Sequence, residues 1–289
     1  RRSAHSGAGV MEFLKRFAEN RGAVAGAVAL ALIVVMAITA PLIVPIDPMS
    51  TRGRPLLPPG GEFAFGTDML GRDVLAGIVH GARISLMIGL ISTVIAAAIG
   101  VSVGAVAGFF GGWIDDLLVR ITEFFQTIPS FIFAILLVAI MTPGLASIVT
   151  AIAVVTWPPI ARLARSEFMG LRRREFVEAA VLSGVSRFRI IVSEVLPNAV
   201  SPLIVMGSLM IATAILTESA LSFLGLGDPN RISWGYMIGA ARTVFRQAWW
   251  LSVFPGLAIA ITVLAINLVG EGLNDALNPH LKGRVRIQT

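Results

Sequence analysis

The strongest constraint on this chain is a set of long stretches that contain no Asp, Glu, Lys or Arg. Residues 22–44, 84–114 and 124–161 are three of them, and each exceeds the roughly 20 helical residues that cross a bilayer core about 30 Å thick. Charged residues make up only 14% of the 289 residues, whereas soluble domains carry about 25%. The chain is therefore expected to be a polytopic membrane protein, which excludes an ordinary soluble enzyme and a disordered chain.

The charge-free stretches predict an all-α membrane protein with six transmembrane helices. Pro143 and Gly144 interrupt the third stretch, which is interpreted as two helices joined by a turn. The third helix then takes Arg120 and Glu123 into its first turns. The predicted transmembrane helices are residues 22–44, 84–114, 117–141, 145–164, 195–217 and 247–270.

The distribution of cations predicts the orientation. With the first residues in the cytoplasm, 16 of the 23 Lys and Arg residues lie on the inner side and 7 on the outer side, in agreement with the positive-inside rule. Both termini are therefore expected in the cytoplasm, and the basic composition requires no nucleic-acid partner. The predicted organisation is a cytoplasmic segment with an amphipathic helix at 1–21, a first transmembrane helix at 22–44, an extracytoplasmic loop at 45–82, a core domain at 83–272 and a cytoplasmic tail at 273–289.

The cytoplasmic loop at 165–196 is much longer than a connection between two transmembrane helices needs to be. Residues 167–184 are predicted to form one helix that ends at Gly184, since glycine readily adopts the left-handed conformation found after helix ends. Ser186 can cap a second helical segment at 187–195, and Pro197 suits the first turn of the fifth transmembrane helix. This helix–glycine–helix elbow is expected to bind a partner.

Four residues within or directly next to the predicted transmembrane helices are candidates for the pathway or for gating. Glu218 is a buried acid, which is costly in a membrane and often functional; a structural pairing is the alternative. Trp157 precedes two prolines that form either a hinge or a static kink. Gln126 and Pro129 can line a pathway, although no periodicity establishes it. No metal site is predicted, because cysteine is absent and the three histidines are far apart in the sequence.

The elbow resembles the EAA loop found in permease subunits of ABC importers. The run from Glu178 to Gly184, followed by Leu196-Pro197, matches that pattern, with Glu194 in place of the usual isoleucine. In the family this loop couples the permease to an ATPase subunit. The resemblance implies that role for Glu178, Ala179, Ala180, Gly184, Val185, Ser186 and Arg187.

Motifs outside the elbow resemble the dipeptide/oligopeptide branch of these importers, in its second-permease subtype. They lie at residues 65–86, 222–227 and 233–235, and the whole resemblance covers about residues 10–280. It implies that an extracytoplasmic solute-binding protein docks at Asp68, Arg72, Asp73 and Trp234.

The resemblance also implies a set of partners and a location. A homologous second permease, two ATP-binding subunits and the solute-binding protein would assemble with this chain among the lipids of a prokaryotic plasma membrane. ATP and Mg would bind to the partner ATPase subunits, and no cofactor to this chain. The chain is not expected to be an enzyme, because it lacks the G-x-x-x-x-G-K-[ST] phosphate loop and its two lysines, Lys15 and Lys282, both follow leucine.

Other functions remain open at this level. The same architecture imports nickel, haem or other solutes in related systems. A channel would leave the elbow unexplained, and an intramembrane enzyme would need paired catalytic groups, which the charge-free stretches do not contain.

Overall fold

The computed structural model describes residues 3–277 of the chain, with side chains described for residues 11–277. Residues 1–2 of the predicted cytoplasmic segment and residues 278–289 of the predicted tail lie outside this part. The described part is helical, with a few isolated β-bridges in one loop. Its helices are α1 (Ser3–Glu19), α2 (Arg21–Ile43), α3 (Val74–Phe110), α4 (Gly112–Thr127), α5 (Ser130–Ile140), α6 (Leu145–Leu171), α7 (Glu175–Leu182), α8 (Arg187–Arg189, continued by a π-helix at Ile190–Val195), α9 (Leu196–Phe223), α10 (Trp234–Ala241) and α11 (Trp250–Leu277).

Five of the helical segments in the described residues are long and apolar enough to cross a membrane, and α4 and α5 form a sixth span if they are taken together. The all-α architecture and the number of six spans agree with the prediction. The amphipathic helix predicted in the first 21 residues lies within α1.

The third span is broken, which corrects the prediction of one helix at 117–141. The axes of α4 and α5 differ by 82°. Ile128 is extended, with φ −89° and ψ 127°, a conformation that is favoured because the ring of a proline crowds the α conformation of the residue before it. Pro129 therefore turns the chain sharply in the middle of an apolar stretch.

Helix α3 begins at Val74, ten residues before the predicted span at 84–114, so the predicted loop at 45–82 ends in helix. Its 37 residues are about 55 Å long, well beyond the thickness of the bilayer core. The first turns of α3 pack with residues 45–73 and α10 to form a compact structure that we call the cap. The predicted span began only at residue 84 because the polar side chains of His80 and Arg83 interrupt the apolar stretch before it.

The elbow also differs from the prediction of one helix at 167–184. Helix α6 continues to Leu171, and the chain turns at residues 172–174 before α7 begins. Three consecutive arginines carry no sign of this break, because arginine is a good helix former. The Arg172 guanidinium donates to the carbonyl of Phe109 at 2.8 Å, and so binds an unpaired carbonyl at the end of α3.

Close packing between α3 and α6 forms the centre of the fold. A Cβ atom added to Gly104 would lie 2.3 Å from the carbonyl oxygen of Ala161, and one added to Gly108 would lie 2.4 Å from that of Arg165. Only glycine permits this approach, and such small-residue contacts drive helix association in lipid. Asp115 of α4 adds an ion pair to Arg165, with N–O distances of 2.5 and 2.7 Å.

Glu218 fastens the cap to α9. Its side chain is only 1% exposed, and its Oε1 accepts hydrogen bonds from Ser222 at 2.8 Å and from Ser233 at 2.6 Å. Ser233 in turn caps α10 by accepting from the amide of Tyr236 at 3.0 Å. Within the described residues, Oε2 has no hydrogen-bond partner. Glu218 therefore joins the end of a transmembrane helix to the first turn of α10.

Replacing Glu218 with leucine should lower the stability of the protein. Two buried hydroxyls would lose their acceptor, at a cost of about 2 kcal/mol, and the melting temperature in detergent should fall by about 5 °C. Glu218→Gln is the matched control, because it keeps an accepting oxygen in place of Oε1 and should cost less than half as much. Equal melting temperatures for the leucine variant and the native protein would contradict this role.

Candidate functional site

The corner of the elbow is set by a specific helix end. Gly184 has φ +74°, a left-handed conformation that strains most other residues. The amide of Val185 donates to the carbonyl of Ala180 at 3.1 Å, and that of Gly184 donates to Val181 at 3.0 Å. These two bonds define a Schellman motif. The predicted helix end at Gly184 is therefore correct, and the spacing of Ala180, Gly184 and Val185 follows from this motif.

One side of the elbow is anchored in the protein core. Val177 of α7 is 2% exposed, and Ile190 and Val195 of the π-helix are fully buried. The guanidinium carbon of Arg187 lies 5.9 Å from the ring centre of Phe110, at the end of α3. Ser186 precedes α8 in an extended conformation, but no capping hydrogen bond from its side chain is seen in the described residues.

The other side of the elbow is exposed and apolar. Leu182 is 88% exposed and Phe188 is 76% exposed. These two residues lie on either side of the corner at Gly184. Glu178 and Ala179 are also exposed, and Ala180 is half-buried. Large exposed apolar side chains on an ordered surface mark a binding site. Leu182 and Phe188 were not predicted as site residues. Their position on either side of the predicted corner at Gly184 could have indicated that they face a partner.

A second candidate site is a cavity of about 530 Å³ beside the bend between α4 and α5. Gln126 and Pro129 both line it, so the structure brings these two predicted residues together. The opposite walls come from α6 and α9 and include Thr156, Pro159 and Arg162 from α6. The cavity is partly open, and its lining includes amide, hydroxyl and guanidinium groups among apolar side chains.

Two other predicted pathway residues do not line this cavity. Trp157 is 5% exposed and packs edge-on against Phe125, with ring centres 5.3 Å apart, so it supports the wall from behind. Glu218 is buried between α9 and α10, as described above. Both prolines after Trp157 lie inside the continuous helix α6.

The sequence reasoning missed the contribution of α9 to the cavity. Met206, Met210, Thr213 and Thr217 line it. They recur every three or four residues and therefore share one face of the helix. This stripe of methionine and threonine in an aliphatic helix was the available signal.

The predicted docking residues in the cap have structural roles. Oδ1 of Asp68 accepts from the amides of Leu70 and Arg72, both at 2.8 Å. Asp73 caps α3 by accepting from the amide of Leu75 at 2.8 Å. Arg72 is half-buried and lies against Met49 and Tyr236. These three residues shape the loop that precedes α3.

Trp234 cannot meet a partner through its side chain in this conformation. It is fully buried, and its indole donates to the carbonyl of Ile78 at 2.9 Å. This placement does not support the docking role implied by the motif. The exposed apolar residues on the cap side are instead Met69, Leu70, Phe245 and Trp249, which are between 42% and 54% exposed.

No group of three or more metal-ligating side chains is found within the residues that the structure describes.

Comparison with known proteins identifies the family. The sequence model of the family described as "Binding-protein-dependent transport system inner membrane component" matches residues 100–283. That of the "N-terminal TM domain of oligopeptide transport permease C" matches residues 11–59. The first match alone covers more than half of the chain, and the two matches leave residues 60–99, which include most of α3, between them.

Curated relatives match nearly the whole chain. The Di/tripeptide transport system permease protein DppC of Pseudomonas aeruginosa is 44% identical over 279 residues, which cover 94% of this chain and 92% of the relative. The Dipeptide transport system permease protein DppC of Haemophilus influenzae is 39% identical, covering 94% of this chain and 95% of the relative.

A solved structure shows the same fold. A chain of the MetNI methionine ABC transporter, in an inward-facing conformation, has a TM-score of 0.59 at 18% identity and covers 71% of this chain and 98% of its own length. This chain therefore belongs to the binding-protein-dependent transport system inner membrane components, as a multi-pass permease subunit of an ABC importer.

Proposed function

We propose that this permease imports dipeptides or oligopeptides, and that its elbow transmits the work of ATP hydrolysis from partner subunits. The observation that carries the proposal is the elbow itself, which turns at Gly184 in a left-handed conformation, is anchored in the core at Val177 and Ile190, and is exposed at Leu182 and Phe188. Its relatives at about 40% identity are named as peptide or dipeptide permeases, which favours peptides over nickel or haem.

The elbow would insert into a cleft of an ATP-binding subunit. Its exposed apolar residues would fill that cleft, and the exposed Glu178 would pair with a cation there. ATP and Mg would bind to two such subunits and not to this chain. The distribution of Lys and Arg supports an orientation in which the elbow and both termini are cytoplasmic.

The open cavity supports a pathway shared between two permeases. Its walls come from α4, α5, α6 and α9 and leave it partly open, and a homologous second permease would close it. An extracytoplasmic solute-binding protein would deliver the peptide at the cap side. ATP binding would then shift the pair between inward- and outward-facing states through differential contacts at the elbows.

Affinity purification of the chain from native membranes in a mild detergent tests this assembly. Recovery of a second permease, two ATP-binding subunits and a solute-binding protein, with peptide in the binding protein, is the expected result. The reconstituted complex should accumulate a labelled dipeptide in proteoliposomes only with ATP. A chain that is reproducibly recovered alone, or a complex that moves nickel or haem instead, would overturn the proposal.

Reversing a charge on the exposed side of the elbow, or adding a charge to its apolar part, should weaken binding of the ATP-binding subunit. Glu178→Arg would reverse a charge in the cleft, and Leu182→Glu would place a carboxylate in its apolar part. Each should reduce the co-purified ATP-binding subunit at least tenfold, because wrongly placed charges in contact surfaces cost several kcal/mol and about 1.4 kcal/mol already corresponds to tenfold. The matched control is Glu175→Arg, another exposed acid on α7, which should retain binding. Native co-purification of both variants would contradict this use of the elbow.

A β-branched residue at the corner should uncouple ATP hydrolysis from transport. Gly184→Val would place valine at φ +74°, where its side chain clashes with the backbone, and the second arm of the elbow would change direction. The ratio of peptide taken up to ATP hydrolysed should fall severalfold, while membrane insertion remains normal. Gly184→Asn is the control, because asparagine tolerates this conformation; normal coupling in the valine variant would refute the role of the corner.

A further inference from the structure

A second large groove lies on a different face of the protein from the pathway cavity. It has a volume of about 710 Å³ and runs between α2, α3, α9 and α11. Its walls are aliphatic, and several of them remain uncovered in this chain: Ile38 is 72% exposed, Leu90 is 53% exposed and Val34 is 39% exposed. A groove of this size in the membrane-spanning region must be filled by lipid or by protein.

Arg83 lies at the rim of this groove. It occupies the same face of α3 as Leu86, Met87, Leu90 and Ile91, which also line the groove. Its side chain is exposed, and within the described residues it forms no hydrogen bond, ion pair or ring contact. An unpaired cation beside lipid is stabilised by an anion at the membrane surface.

The distances along α3 match one leaflet of a bilayer. From Arg83 to Ile91 the helix rises about 12 Å, and half of the hydrocarbon core is about 15 Å thick. On α2 the lining runs from Ile38, one turn below the end of the helix, down to Leu30. If the guanidinium lies at the cap-side surface of the membrane, the apolar walls on α2 and α3 extend below it to about the middle of the hydrocarbon core.

The groove faces away from the pathway. On α9 the groove is lined by Ser208 and Ile211, and the pathway cavity by residues that include Met210 and Thr213. Because successive helical residues are about 100° apart, the groove and cavity faces of α9 point in directions roughly 160° apart. A second permease that closes the cavity would therefore leave the groove facing lipid.

We propose that the groove is a binding site for an anionic phospholipid of the cap-side leaflet. The phosphate of the headgroup pairs with Arg83, and an acyl chain lies in the aliphatic groove against Leu90 and Ile38. A phospholipid would contact both the charged rim, through its headgroup, and the apolar walls, through its acyl chain. A free phosphate would contact only the rim. A protein segment would leave the unpaired guanidinium unexplained unless it supplied an acid of its own.

Native mass spectrometry of the purified, delipidated permease complex with added phosphatidylglycerol tests this proposal. Arg83→Gln should raise the dissociation constant of the tightest phosphatidylglycerol site about tenfold, the equivalent of roughly 1.4 kcal/mol. Arg246→Gln removes another exposed cap-side arginine that does not line the groove, and should change it less than about twofold. Leu90→Trp should fill the groove and weaken binding with Arg83 intact.

The arms of the experiment distinguish the possible occupants. Phosphatidylethanolamine, which has no net charge, should bind more weakly than phosphatidylglycerol, and inorganic phosphate should not compete at millimolar concentration. Competition by phosphate alone would show a simple anion site and overturn the proposal. Unchanged phosphatidylglycerol binding in both Arg83→Gln and Leu90→Trp would also overturn it, as would loss of the second permease from the Arg83→Gln complex, which would make the groove a subunit interface.

Discussion

The close contact between α3 and α6 connects the cap at one end of the helix bundle with the elbow at the other, and the rest of the structure depends on this contact. Gly104 and Gly108 bring the backbones of these helices together, where a larger side chain would hold them apart. In lipid there is no hydrophobic force between helices, so this close packing is the main source of cohesion. Helix α3 reaches the cap at its start, and Arg172 and Arg187 contact its other end.

This arrangement gives the proposed coupling a physical route from the elbow to the cavity. Val177 and Ile190 are packed in the same core cluster as Trp157 and Phe168 of α6. Trp157 supports Phe125, which lines the cavity. The elbow and the wall of the cavity are therefore neighbours in one packed cluster, and packed clusters shift as units because they deform little.

Much of the fold could be predicted from the sequence. Each transmembrane helix needs a long apolar stretch, and a glycine such as Gly184 at the end of a helical pattern commonly marks the end of the helix. The broken third span was missed although Pro129 was noticed, since the apolar run continues across it. The start of α3 was missed because the cap encloses polar turns of helix that a hydrophobic window excludes. The sites were less predictable: Trp234 belongs to a recognisable motif, yet its burial depends on contacts with Ile78 and Ser85, far away in the chain.

Leu182 and Phe188 also have a consequence for assembly of the importer. Large exposed apolar surfaces on proteins are aggregation liabilities unless a partner covers them. In the proposed orientation, a copy that is inserted into the membrane before its partners would therefore present this apolar surface to the cytosol. The same two side chains that would join it to a partner would then be open to the chaperones and proteases that bind exposed apolar groups. Balanced synthesis of the subunits would be favoured by this chemistry alone, and surplus permease would be selectively removed.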